Sequence, residues 1–142
     1  MAGLLRTGSI VVSLVLVCTC WAQDQYCPKA IRTKQTLENA PAGWKSGSSN
    51  KQEQALAGIT FFDGPPEQEA SLVYDSYTKG KTADHAVWHF DRSSQIWVSC
   101  IYQGTAITLS KALPANTTEC KVVYSPDVHV DGYPEIKQVI CK

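Results

Sequence analysis

Four cysteines, Cys27, Cys100, Cys120 and Cys141, constrain this chain more than any other feature. Two more, Cys18 and Cys20, fall in an amino-terminal segment that reads as a cleavable export signal. Within residues 1–22 Arg6 is the only charge, residues 10–17 are apolar apart from Ser13, and Cys20-Trp21-Ala22 places small residues where a signal peptidase cuts. The apolar run is shorter than the ~20 residues a membrane span needs, and polar Gln23-Asp24-Gln25 follows at once. The expectation is a signal at 1–22, no stable membrane anchor, and one domain of ordinary size over 23–142.

An even number of cysteines in an exported chain reads as disulfides, and four allow three pairings. The expected pairing joins Cys100 to Cys120, in strands read as neighbours, and Cys27 to Cys141, tying the ends together. Chain entropy assigns a closed loop of roughly 20 residues about 3 kcal/mol and one of roughly 110 nearly 5 kcal/mol. A zinc site would need close Cys-x-x-Cys pairs, and these cysteines are far apart, so neither a metal nor a cofactor is expected. The chain carries 13 basic and 13 acidic residues, and loss of Arg6 leaves 12 against 13. Bulk charge therefore recruits neither nucleic acid nor anionic lipid.

Residue patterning points to an antiparallel, mainly β domain, a small barrel or sandwich closed by two disulfides. A first strand is expected over 30–37, and Trp44 is read as the buried anchor of the loop that follows. Segment 52–62, apolar at Leu56, Ile59, Phe61 and Phe62, is stopped by Asp63-Gly64-Pro65-Pro66, and a short helical turn is expected over 67–72. Residues 86–91 and 95–102 read as a hairpin across Arg92-Ser93-Ser94. Period two puts Ile96, Val98, Cys100 and Tyr102 on the core face, with Trp97, Ser99 and Ile101 on the other. A third meander strand is expected over 105–109, and two more over 120–125 and 136–141.

Little in the chain points to catalysis. His85 and His89 would share a helical face, but their surroundings read as strand, where four residues span about 13 Å. His89, His129 and Lys111 would be needed together for acid–base chemistry of the ribonuclease kind, and the chain has no nucleophile elbow or phosphate-cradling glycine loop. Trp88, Trp97, Tyr102 and Tyr124 read as core or cross-strand aromatics. The turn Tyr102-Gln103-Gly104-Thr105 is the more suggestive feature, because a rigid hairpin tip can enter another protein's cleft.

Cys27-Pro28, Pro41-Ala42-Gly43-Trp44, Phe62-Asp63-Gly64-Pro65-Pro66, Trp97-Val98-Ser99-Cys100, Tyr102, Gly104-Thr105, Cys120 and Cys141 together resemble a family of short proteobacterial periplasmic proteins known by locus names. More distantly, the Cys100-x-Tyr102 hairpin and closing cysteines are similar to periplasmic and membrane-bound inhibitors of C-type lysozyme. In those small β-barrels a Ser-Gly-x-x-Tyr segment and a lysine enter the enzyme's cleft. Here Gln103-Gly104-Thr105 follows the tyrosine, and Lys111 lies downstream. The resemblances imply a periplasmic, β-rich, disulfide-closed domain with a binding role; the function expected is non-enzymatic inhibition of a cell-wall hydrolase, either a lysozyme or a rival bacterium's effector, with Tyr102, Gln103, Gly104, Thr105 and Lys111 as contacts. The alternative is a structural or ligand-binding envelope protein with no inhibitory role.

Overall fold

The computed structural model describes residues 26–47 and 53–142. The expected signal at 1–22 lies outside the described residues. The strands run in the order β1 (Ala30–Ile31), β2 (Gln54–Asp63), β3 (Ser71–Leu72), β4 (Ser76–Thr78), β5 (Asp84–His89), β6 (Ile96–Tyr102), β7 (Thr108–Ala112), β8 (Glu119–Val130) and β9 (Tyr133–Cys141). One sheet has the order β1-β2-β6-β7, with β3 also pairing β2, and the other has the order β4-β5-β8-β9. Every pairing is antiparallel. Among the described residues the two sheets stay separate and do not close on each other, so the architecture is sandwich-like and not a barrel.

The expected core face is buried: Ile96, Val98, Cys100 and Tyr102 all point inward from β6. They meet Ala86 and Trp88 of β5, Val122 of β8 and Ile136 of β9 in one apolar cluster. Phe61 of β2 is its centre, fully buried, with its ring 5.0 Å from Trp88 in an edge-to-face contact and 5.5 Å from Phe90. The Trp88 indole donates to the Leu72 carbonyl at 3.2 Å, so a polar bond also crosses between the sheets.

The expected hairpin of 86–91 with 95–102 does not form. β5 pairs β4 and β8, whereas β6 pairs β2 and β7. The connection is a corner between sheets, held by Asp91, whose carboxylate accepts from the Ser93 amide and hydroxyl. A hairpin would have set Trp88 and Val98 side by side on one sheet. The crossover sets their faces against each other and buries both.

Other local expectations shift for identifiable reasons. β1 ends at Ile31 because the Thr33 amide donates to the Gln54 side chain instead of a backbone carbonyl. Residues 67–72 split into a 3-10 turn, Pro66–Gln68, and strand β3, with Glu69 left-handed (φ 58°) between them. The third meander strand pairs β6 as expected but starts later, at Thr108. Trp44 is exposed and anchors no core. Among the described residues no helix is long and apolar enough to cross a membrane.

Both expected disulfide pairings are corrected. Cys27 bonds Cys100 (Cα–Cα 5.7 Å) and Cys120 bonds Cys141 (Cα–Cα 4.1 Å). Cys100 and Cys120 lie on different sheets, and each takes a nearer partner. Cys120 and Cys141 face each other directly across the β8–β9 ladder, which leaves Cys100 to the incoming chain at Cys27. That incoming segment is fixed further by the Tyr102 hydroxyl donating to the Pro28 carbonyl at 3.1 Å. The Lys29 ammonium donates to the carbonyls of Ile136 and Lys137 at 2.7 and 3.1 Å, covering polar groups of β9, an edge strand.

Candidate functional site

Where the β6–β7 turn approaches the tip of the β8–β9 hairpin, the molecule holds an open groove of about 720 Å³. Its floor comes from Ala57, Gly58 and Ile59 of β2 and from Ile101 and Tyr102 of β6. A β-bulge shapes this floor: the register slips between Leu56 and Gly58, so Leu56 still faces Tyr102 while the strand bends. Gly104 and Thr105 form one rim, and Tyr77, Tyr124, Asp131, Tyr133 and Pro134 form the other.

Turn chemistry fixes both rims. Gly104 is left-handed (φ 69°), its carbonyl accepts from the Gln35 side chain at 2.9 Å, and the Thr105 hydroxyl accepts from the Ile107 amide at 3.1 Å. On the opposite rim Asp131 and Gly132 are both left-handed (φ 53° and 82°) between the paired residues Val130 and Tyr133. Two consecutive positive φ values make the two-residue connection that Asp-Gly favours. The β8–β9 register is broken between Val123 and Tyr124 and again between Tyr124 and His129, which frees the tip from the regular ladder.

Four tyrosines give the groove its chemistry. Tyr77 and Tyr124 stand 6.2 Å apart, and Tyr74 extends the wall from Tyr77 (5.8 Å) to Trp88 (5.8 Å). The Tyr124 phenol is pushed up to about 12 by burial and by the neighbouring Tyr77 and Tyr74. Burial also raises Tyr77, and its hydroxyl donates to the Asp84 carboxylate at 2.8 Å. The Gly80 amide and that hydroxyl hold Asp84 below the ordinary carboxylate range. Tyr102 is raised by burial alone. These phenols therefore stay neutral near neutral pH. Tyr133 is 66 % exposed on the rim.

The five contacts expected from sequence divide between two places. Tyr102, Gly104 and Thr105 line the groove. Tyr102 does so from the floor, since it is buried, and Gln103 beside it is exposed with its amide donating to the Ala55 carbonyl. Lys111 lies outside the lining, on edge strand β7, with its ammonium 5.3 Å above the Tyr26 ring. Tyr77, Tyr124, Asp131 and Tyr133 were not anticipated as a site. The Asp131-Gly132 pair between two apolar runs was the available signal, because it marks a hairpin whose tip must project.

The acid–base trio is not assembled. His89 sits on β5 opposite Glu119, its ring 3.1 Å from Asp75 and 3.4 Å from Glu119, and Lys142 lies 3.0 Å from Glu119. His129 is ten positions further along β8, roughly 30 Å for extended chain, and Lys111 belongs to the other sheet. Among the described residues no group of three or more metal-binding side chains is placed to hold an ion.

Comparison with known proteins gives this geometry a context. A curated relative from Azospirillum brasilense, described as an uncharacterized 16.3 kDa protein in the trpG 5' region, is 27% identical over 153 aligned residues, covering 98% of this chain and 100% of the relative. No solved structure matches. The family model for the type VI secretion system Tli immunity protein matches residues 50–142, a span that contains every groove-lining residue and three of the four cysteines. With 93 of its 142 residues (142 − 50 + 1) in that match, the chain belongs to the type VI secretion system Tli immunity protein family.

Proposed function

We propose that residues 23–142 act as one exported domain in the periplasm, where the protein binds and neutralises an envelope-attacking effector of a type VI secretion system. The observation that carries this reading is the open, tyrosine-walled groove within the span that matches the family. A neutralising protein needs a surface that is fixed before its partner arrives, since every side chain ordered on binding costs affinity. Two disulfides and left-handed turns supply that fixity, and tyrosines give contact area at low entropic cost. The finer target class expected from sequence is a cell-wall hydrolase. The assay is co-expression with the cognate effector directed to the periplasm, followed by peptidoglycan clearing and phospholipid release with the purified pair. Protection with suppressed clearing supports the hydrolase target, and protection with suppressed lipid release moves the target to the bilayer. Killing undiminished by the protein would sink the reading.

One observation favours a second reading. A groove of about 720 Å³ falls within the range of small-molecule sites, as a ligand-binding envelope protein requires. Native mass spectrometry of protein purified from the periplasm separates the two, since this reading requires a retained cell-wall fragment or other small molecule.

A further inference from the structure

We propose that the groove receives the guanidinium of an arginine carried on a loop of the effector, held between the Asp131 carboxylate and the tyrosine wall. For the partner's identity this rests on the immunity reading. Among the described residues that line the groove, Asp131 is the sole carboxylate, and no lysine, arginine or histidine joins it. On the lining itself a cation meets a negative group and no positive one. The turn alone does not require the charge at position 131, because asparagine or glycine also accepts a φ of 53°.

The aromatic wall has the same preference. The face of a tyrosine attracts a cation within ~6 Å of its centroid. Tyr77 and Tyr124 both line the groove with their ring centroids 6.2 Å apart, and Tyr133 is exposed on its rim. Behind the wall the Tyr77 hydroxyl is bonded to Asp84, a second carboxylate. Lys79 offsets part of its field, and Asp131 is the carboxylate on the lining itself. Arginine suits this pairing better than lysine, because its planar fork can bond a carboxylate in two places while its face stacks on a ring.

The experiment titrates the disulfide-bonded protein with acetyl-Gly-Arg-Gly-amide and, separately, acetyl-Gly-Glu-Gly-amide, to the solubility limit of each, following the ring resonances of Tyr124 and Tyr133 by NMR. Saturable shifts with the arginine peptide alone, weakened about three- to fivefold in Asp131→Asn, are expected from one exposed charge pair with a ring contact. Asparagine keeps the left-handed turn, so an unchanged amide spectrum shows that the variant is folded. Equal response to the glutamate peptide, no saturable response to arginine, or unchanged affinity in Asp131→Asn overturns the proposal. Neutralisation of the effector without any arginine response overturns the cation pocket alone and leaves the immunity reading intact. Arginine capture without effector binding supports the pocket and removes the immunity reading.

Discussion

The two halves of the β8–β9 hairpin are built on opposite rules. At its base the ladder runs unbroken from Cys120 opposite Cys141 to Val123 opposite Gln138, with Cys120 and Val122 fully buried. Toward its tip the register breaks twice, Val128 and Tyr133 stand exposed, and a left-handed Asp131-Gly132 turn ends it. Among the described residues Ile140, opposite Lys121, is the one large apolar group exposed at the base, where further exposed apolar groups would compete with the core. The same groups at the tip, rimmed by polar turns, are what a recognition surface requires. One hairpin therefore divides its work: the base fixes the tip's position, and the tip is left uncovered, as the proposed binding surface requires.

The largest expected effect tests whether the base needs help from outside itself. Cys27–Cys100 closes a separation of 73 residues and Cys120–Cys141 one of 21. Chain entropy then assigns about 4 kcal/mol to the first and about 3 kcal/mol to the second. Urea unfolding of the double variants Cys27→Ser with Cys100→Ser, and Cys120→Ser with Cys141→Ser, is expected to rank them in that order. A reversed order would show that the hairpin base stabilises the native state through more than loop closure.

That ranking rests on pairings the sequence did not settle. Period two identified the buried face of β6 correctly, since alternation along one strand is local information. Which strands neighbour one another is not local. Arg92-Ser93-Ser94 has the length and polarity of a hairpin turn and also of a corner between sheets, and both bury Trp88 and Val98. With 86–91 and 95–102 read as a hairpin and 95–102 and 120–125 read as neighbouring strands, Cys100 was set beside Cys120 and the cysteines were paired wrongly. Half of the groove was legible for the same reason: Gly104 and Thr105 announce a turn by themselves, whereas Tyr77 and Tyr124 meet only because β5 lies between β4 and β8.

A smaller effect is expected at the tip, in binding and not in folding. Tyr133→Ala removes an exposed ring from the groove rim, so stability should stay within about 0.5 kcal/mol of the parent by urea unfolding. Affinity for the effector, measured by calorimetry, should fall by about 2 kcal/mol, the loss at a hot-spot aromatic. Loss of stability with unchanged affinity would invert the division of labour between base and tip.

The smallest effect concerns the wall between the two halves and is visible through pH. Asp84 accepts from the Gly80 amide and the Tyr77 hydroxyl, and these bonds lower its folded-state pKa below the ordinary 3.8. A carboxyl group with a depressed folded pKa stabilises the native state above its unfolded value, and that contribution disappears as pH falls through the folded one. Asp84→Asn should therefore be less stable than the parent at neutral pH, and the two thermal-melting curves should converge as pH drops below 3.8. The asparagine amide has one acceptor oxygen for two donors, so with that oxygen turned to the Gly80 amide the Tyr77 ring should loosen against Tyr124 and broaden the Tyr124 resonance, while the Cys120–Cys141 base keeps its amide protection. A constant stability gap across the acid range would mean that Asp84 acts through packing, and the wall would then be held by its rings alone.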